Sequence, residues 1–195
     1  ALAALPMLAS AAVETYPLDP THTYPNFTVE HWGLSMMHGR FDKTSGKFAF
    51  DRAAKTGSTE LTIDTASLTT GDSVKGNRPQ SRDDHLRSAD FFNTKEFPTM
   101  TFKSTKVYFT GDLPSSVEGN LTLVGVTKPV TLDVTFDGET ASHPFSKVPA
   151  LGFSATGTFK RSDFGLDYLS GMVGDDVSVQ IEGDFIQKVA PAPAQ

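Results

Sequence analysis

One antiparallel all-β barrel of about eight strands is what this sequence predicts, on three observations. Apolar residues recur at every second position through much of the chain, short turn signals separate the segments that do so, and no long helical pattern alternates with strands as a parallel βαβ sheet requires. The chain has 195 residues, 38% apolar and 21% charged, which suits one well-buried domain. So many antiparallel strands must hide their edges by closing or by stacking, and closure is the expected solution.

The strands follow in order. Phe27, Val29 and His31 share a face, as do Phe48 with Phe50, Leu61 with Ile63, and Met100 with Phe102. Val117, Leu121 and Leu123 mark the next strand, then Val130, Leu132, Val134 and Phe136. Leu151, Phe153, Ala155, Gly157 and Phe159 alternate with small or polar residues, and Val177, Val179, Ile181, Gly183 and Phe185 do the same. Turns are expected at Thr44-Ser45-Gly46, Lys55-Thr56-Gly57, Gly111-Asp112-Leu113-Pro114, Val124-Gly125-Val126 and Asp137-Gly138. Residues 82–90 carry the strong helix signal: Ser81 and Asp84 have capping-box spacing, and Pro79 and Pro98 bracket the segment. On that helix Asp83 and Arg87 form an i,i+4 pair, while Arg82, His85, Leu86 and Ala89 share a face that can cover a barrel mouth.

The same residues argue against bond chemistry. Asp84 is beside His85, but adjacent helix residues point apart, so no orienting pair results. His22, His31 and His38 lack tight ligand spacing, and no metal site is expected. Asp163-Phe164-Gly165 has the letters of a kinase magnesium motif without a phosphate-binding glycine loop. With no cysteine, thiolate chemistry and disulfides are out. A net charge of −6 and no Lys/Arg run argue against nucleic acid as a partner.

Ala1 to Ala12 is apolar but too short to span a bilayer, and Ala9-Ser10-Ala11 has a signal-peptidase form. Residues 1–11 therefore read as a signal-peptide remnant cleaved near Ala11, 12–189 as the barrel and 190–195 as a disordered tail, which implies export to the periplasm. Gly119, Gly157 and Gly183 fall on apolar faces. Each marks either a bulge or corner, or space in the interior, and three on three strands favour a cavity. His31 is either a core histidine, an exposed one at a strand end, or a ligand contact.

Several ordered blocks resemble the YceI-like family of bacterial periplasmic lipid-binding proteins. They are Tyr16-Pro-Leu-Asp-Pro-Thr-His22, Phe27-Thr-Val-Glu-His31-Trp-Gly33, Gly39-Arg-Phe41, Ser67-Leu-Thr-Thr-Gly71, Arg82-Asp-Asp-His-Leu-Arg-Ser88, Asp90-Phe-Phe92, Phe97-Pro-Thr-Met-Thr-Phe102, the run Gly119 to Lys128, and Arg161-Ser-Asp-Phe-Gly-Leu166. The resemblance covers roughly residues 16–188, and Trp32 departs from the smaller or polar residue common there. It implies an extended lipocalin-like barrel, a homodimer, and an apolar channel for an isoprenoid quinone, a polyprenyl phosphate or another amphiphile, with no cofactor beyond that ligand.

The expected cavity residues are Phe27, Val29, His31, Phe41, Leu61, Ile63, Phe91, Phe92, Met100, Phe102, Leu121, Leu123, Leu132, Val134, Phe153, Gly157, Phe159, Val179 and Ile181, with Arg82 and His85 at the head group. The reading is a non-catalytic carrier that meets membranes transiently. The alternatives are an enzyme acting on such a lipid and a stress or redox module docking to a membrane protein.

Overall fold

The computed structural model describes residues 13–187. The signal-like stretch 1–11 and the tail 190–195 lie outside the described residues. Eleven strands form one antiparallel sheet: β1 (Glu14–Pro17), β2 (Tyr24–His31), β3 (Ser35–Phe41), β4 (Thr44–Asp51), β5 (Thr56–Asp64), β6 (Leu68–Thr69), β7 (Thr99–Thr110), β8 (Leu113–Leu123), β9 (Val126–Thr140), β10 (Ala150–Lys160) and β11 (Val173–Ile186). Their order is β1-β4-β5-β7-β8-β9-β10-β11-β2-β3-β6. A single α-helix, α1 (Arg82–Arg87), and two short 3₁₀ turns complete the described residues.

The eight expected strands become eleven segments because the wall bends. Asp42 and Lys43 alone separate β3, paired with β2, from β4, paired with β5. At this kink Asp42 N–H donates to Ser67 O at 3.1 Å and Lys43 N–H to Ser67 Oγ at 3.0 Å, so both donors leave the ladder. The β3–β4 path thus joins the two ends of the sheet. Counted as one bent strand, with short β1 and β6 set aside, it makes an eight-stranded wall. β1 seals the seam: it pairs with β4, Leu18 bridges Phe185, and Asp19 N–H donates to Asp184 O at 2.7 Å.

Two expected turns are strand instead. Thr44-Ser45-Gly46 stays extended because it pairs with Leu61 to Ile63. Asp137-Gly138 is a bulge within the 15 residues of β9: Gly152 opposes Gly138 while Phe153 opposes Phe136, and Gly138 takes φ 156°. Val124-Gly125 does turn, with φ 44° and 78° between the paired Leu123 and Val126, as a two-residue hairpin loop requires.

Alternation along these strands sends one face inward. Long β9 and β11, at 15 and 14 residues, span about 45–50 Å of strand each. At the end away from α1, Phe48 packs edge-on to Phe153 at 5.0 Å and near Phe185 at 5.8 Å, while Phe50 stacks beside Phe48. These rings narrow that end, and the end near α1 is the more hollow.

Candidate functional site

The hollow is an apolar channel of two lobes. The larger has about 1060 Å³ free of atoms, counting the open solvent at its mouth. Only Asn26 and Arg161 among its lining residues are polar, and none of their polar atoms faces the space. The second lobe, about 630 Å³, lies deeper, toward the aromatic end. Leu61, Phe102, Leu132 and Ile181 line both lobes and so stand between them.

Most of the expected cavity residues line this channel. Phe27, Val29, Phe41, Leu61, Ile63, Phe91, Phe92, Met100, Phe102, Leu121, Leu123, Leu132, Phe159, Val179 and Ile181 line the larger lobe. Val134 and Phe153 line the second. Val130 and Val177, in phase with Leu132 and Val179, line the larger lobe as well, and the same alternation points to them.

Two expected cavity residues, His31 and Gly157, are elsewhere, and the two head-group candidates, Arg82 and His85, make their hydrogen bonds within the protein. His31 ends β2 and stacks on exposed Trp32 at 5.3 Å, because the strand reaches its turn there and the inward register stops. Gly157 does not line the space: the Leu132 side chain lies over it, and an added Cβ would sit 2.6 Å from Leu132 Cδ2. Arg82 turns to β6, where Nε donates to Thr70 Oγ1 at 2.7 Å and Nη2 to Thr70 O at 3.2 Å. His85 hydrogen-bonds Asp90 at 2.9 Å and meets the Phe91 and Tyr168 rings edge-on at 5.2 and 5.6 Å. Of the expected lid face, Leu86 is what reaches the channel.

The helix itself explains this. Ser81 caps it as expected, its Oγ accepting from Asp84 N–H at 3.1 Å, but it ends at Arg87 and not near Asp90. Asp83, 1% exposed, does not pair with Arg87; its carboxylate accepts from Thr70 N–H at 2.9 Å and from the Thr70 and Thr69 hydroxyls. Arg87 pairs with exposed Asp84 at 3.5 Å. Asp83 therefore sets the helix phase, facing β6 and leaving Leu86 to cover the mouth. Upstream, Arg78 grips Asp72 with both arms at 2.6 Å and holds that carboxyl down at about 2.

A second cover crosses the mouth between β10 and β11. This strap, residues 165–172, contributes Leu166 to the channel wall. Arg161, 6% exposed, pins it: Nε donates to Gly174 O at 2.9 Å, Nη1 to Leu166 O and Tyr168 O, and Nη2 to Val173 O at 3.0 Å. A lone arginine at a strand end carries no local sequence signal for such a clamp.

The comparisons agree with this geometry. A UPF0312 protein of Ectopseudomonas mendocina is 38% identical over 194 residues, covering 94% of this chain and 96% of its own. Protein YceI of Escherichia coli is 36% identical over 182 residues, with 92% and 90% covered. Among solved structures, Burkholderia cenocepacia BcnA superposes with a TM-score of 0.71 at 25% identity, over 86% of this chain and 98% of that one. Campylobacter jejuni YCEI protein gives 0.67 at 31%, over 82% and 90%. A polyisoprenoid binding domain from Saccharophagus degradans shares the fold, with 0.63 at 18% identity over 91% and 100%. The YceI-like domain model matches residues 16–185, and this chain is a member of the YceI-like family.

Proposed function

We propose that this protein is a non-catalytic carrier that holds the hydrocarbon chain of an isoprenoid lipid, a quinone or a polyprenyl phosphate, inside the barrel. The observation that carries the reading is the channel wall: it is apolar along both lobes, and no polar atom faces the larger one. Such a wall solvates a chain, at about 0.8 kcal/mol per buried methylene, and offers a head group nothing. The head stays at the mouth. Catalysis needs titratable groups aimed at the ligand. His31 and His85 face Trp32 and Asp90 instead. The polyisoprenoid named for the Saccharophagus domain is consistent with this ligand class. Mass spectrometry of the organic extract of purified protein is expected to show a prenyl chain; a protein that extracts clean and takes up no prenyl lipid would sink the reading.

A periplasmic location is part of the proposal and rests on the Ala9-Ser10-Ala11 pattern. So is the homodimer implied by the resemblance, which light scattering of the purified chain decides.

Transient contact with a membrane has support at the mouth. Among the described residues, six of nine exposed large hydrophobics lie on the β2–β3 tip and the strap: Trp32, Leu34, Met36, Tyr168, Leu169 and Met172. The two segments touch, Trp32 N–H donating to Met172 O at 2.7 Å. Trp32 holds φ 60°, a conformation costly for a bulky side chain, and keeps its indole in solvent. Aromatic and aliphatic groups of this kind partition to the bilayer interface. Wild-type protein is expected to sediment with phosphatidylcholine vesicles several-fold more than Trp32→Ser/Leu34→Ser protein; equal sedimentation would remove the membrane role.

A further inference from the structure

Leu61, Phe102, Leu132 and Ile181 line both lobes and make up the neck between them. Three of these four side chains lie across a glycine on the neighbouring strand. Leu61 covers Gly46, Phe102 covers Gly119 and Leu132 covers Gly157; a Cβ at those glycines would sit 2.8 Å from Leu61 Cδ2, 2.7 Å from Phe102 Cε2 and 2.6 Å from Leu132 Cδ2. Real Cβ atoms do not tolerate such distances, so each side chain rests in the depression that a missing Cβ leaves. The fourth, Ile181, opposes small Ala155. Gly183 lines the second lobe, but the three covered glycines do not add open space to the lumen. They let the bulky ones fold back against the wall.

We propose that Gly46, Gly119 and Gly157 hold this neck open and so set the length of chain the protein accepts. With the three side chains against the wall, a prenyl chain entering at the mouth runs through into the second lobe. A methyl group at Gly157, whose nearest neighbour is the Leu132 side chain, turns that side chain into the lumen, and the chain must end in the first lobe; at Gly46 and Gly119 an added methyl would also press on backbone carbonyls, Glu60 O and Lys103 O. The inference rests on the carrier reading, and it deepens that reading from a ligand class to a chain-length rule.

The test offers delipidated full-length protein vesicles of phosphatidylcholine doped with the short prenyl alcohol farnesol or the long solanesol, and counts protein-bound alcohol by mass spectrometry. Wild type takes both. Gly157→Ala keeps farnesol but loses solanesol at least roughly tenfold, the loss expected when about two methylenes return to water. Gly157→Ala/Leu132→Ala regains solanesol, because the side chain that blocked the neck is gone. An unchanged solanesol-to-farnesol ratio in Gly157→Ala, or no rescue in the double variant, overturns the proposal.

Thr131 O also lies close to the added methyl, at 2.9 Å, so folding is a second readout. If Gly157→Ala fails to fold and the double variant folds, the clash is with Leu132 and the proposal stands; if neither folds, the glycine serves the backbone and the proposal fails. Uptake of neither alcohol by wild type would overturn the carrier reading itself, which separates that failure from failure of the neck.

Discussion

Arg161→Ala is expected to lower unfolding stability by about 3 kcal/mol and to free the strap, because four carbonyl oxygens lose a charged donor at once. Arg161 is 6% exposed, and its partners Leu166 O, Tyr168 O, Val173 O and Gly174 O all belong to the strap or its junction with β11. Its hydrogen bonds all go to carbonyl oxygens, with the Asp175 carboxylate adding a longer-range attraction, a geometry its planar fork suits and an ammonium does not. Arg161→Lys is therefore expected between alanine and wild type. Urea unfolding gives the stabilities, and hydrogen exchange over residues 165–174 reads the strap directly. If the alanine variant lies within about 0.5 kcal/mol of wild type and the strap amides exchange no faster, the clamp is not what orders this cover.

The opposite cover depends on Asp83. Asp83→Ala is expected to cost about 2–4 kcal/mol, since it strips a buried carboxylate from Thr70 N–H and from two threonine hydroxyls and leaves that amide without a partner. A helix of six residues cannot persist on its own propensity. Its one turn is held by the Ser81 cap and by Asp83, so hydrogen exchange over residues 81–92 should rise sharply. Asp84→Ala is the control: Asp84 is exposed and its pairing with Arg87 at 3.5 Å is of surface type, worth a few tenths of a kcal/mol. Equal effects of the two substitutions would show that the carboxylate's burial is irrelevant. Both variants at the mouth should also shorten the residence of a bound chain, because each cover carries part of the wall, Leu86 on the helix and Leu166 on the strap.

Much of the wall is legible in the sequence. Alternation at Leu121 and Leu123, at Leu132 and Val134, and at Val179 and Ile181 assigned inward faces correctly, because a strand's period of two leaves no other face for them. The Ser81 cap was legible for a similar reason: it is a contact three residues long. His31 was misplaced because alternation tells which face a residue shares and not where the strand ends. Gly157 was misread in sense. A glycine on an apolar face announces close approach, but what approaches, here Leu132 from β9, belongs to another strand.

What the sequence by itself determined is therefore the local part: strands, their inward faces, the start of the helix and the greasiness of the interior. What only the tertiary structure decided is everything set by pairings outside the regular period of a strand or helix. The bend at Asp42 and Lys43 that joins the sheet's ends depends on Ser67, the phase of α1 on Thr70, the strap on Arg161, and the neck on three glycine and side-chain pairs across strands. Periodicity is a property of neighbours and survives in one dimension. Closure, clamping and lumen width are properties of pairs whose meeting is specified only when the wall has curled, and no periodicity announces which residues will pair.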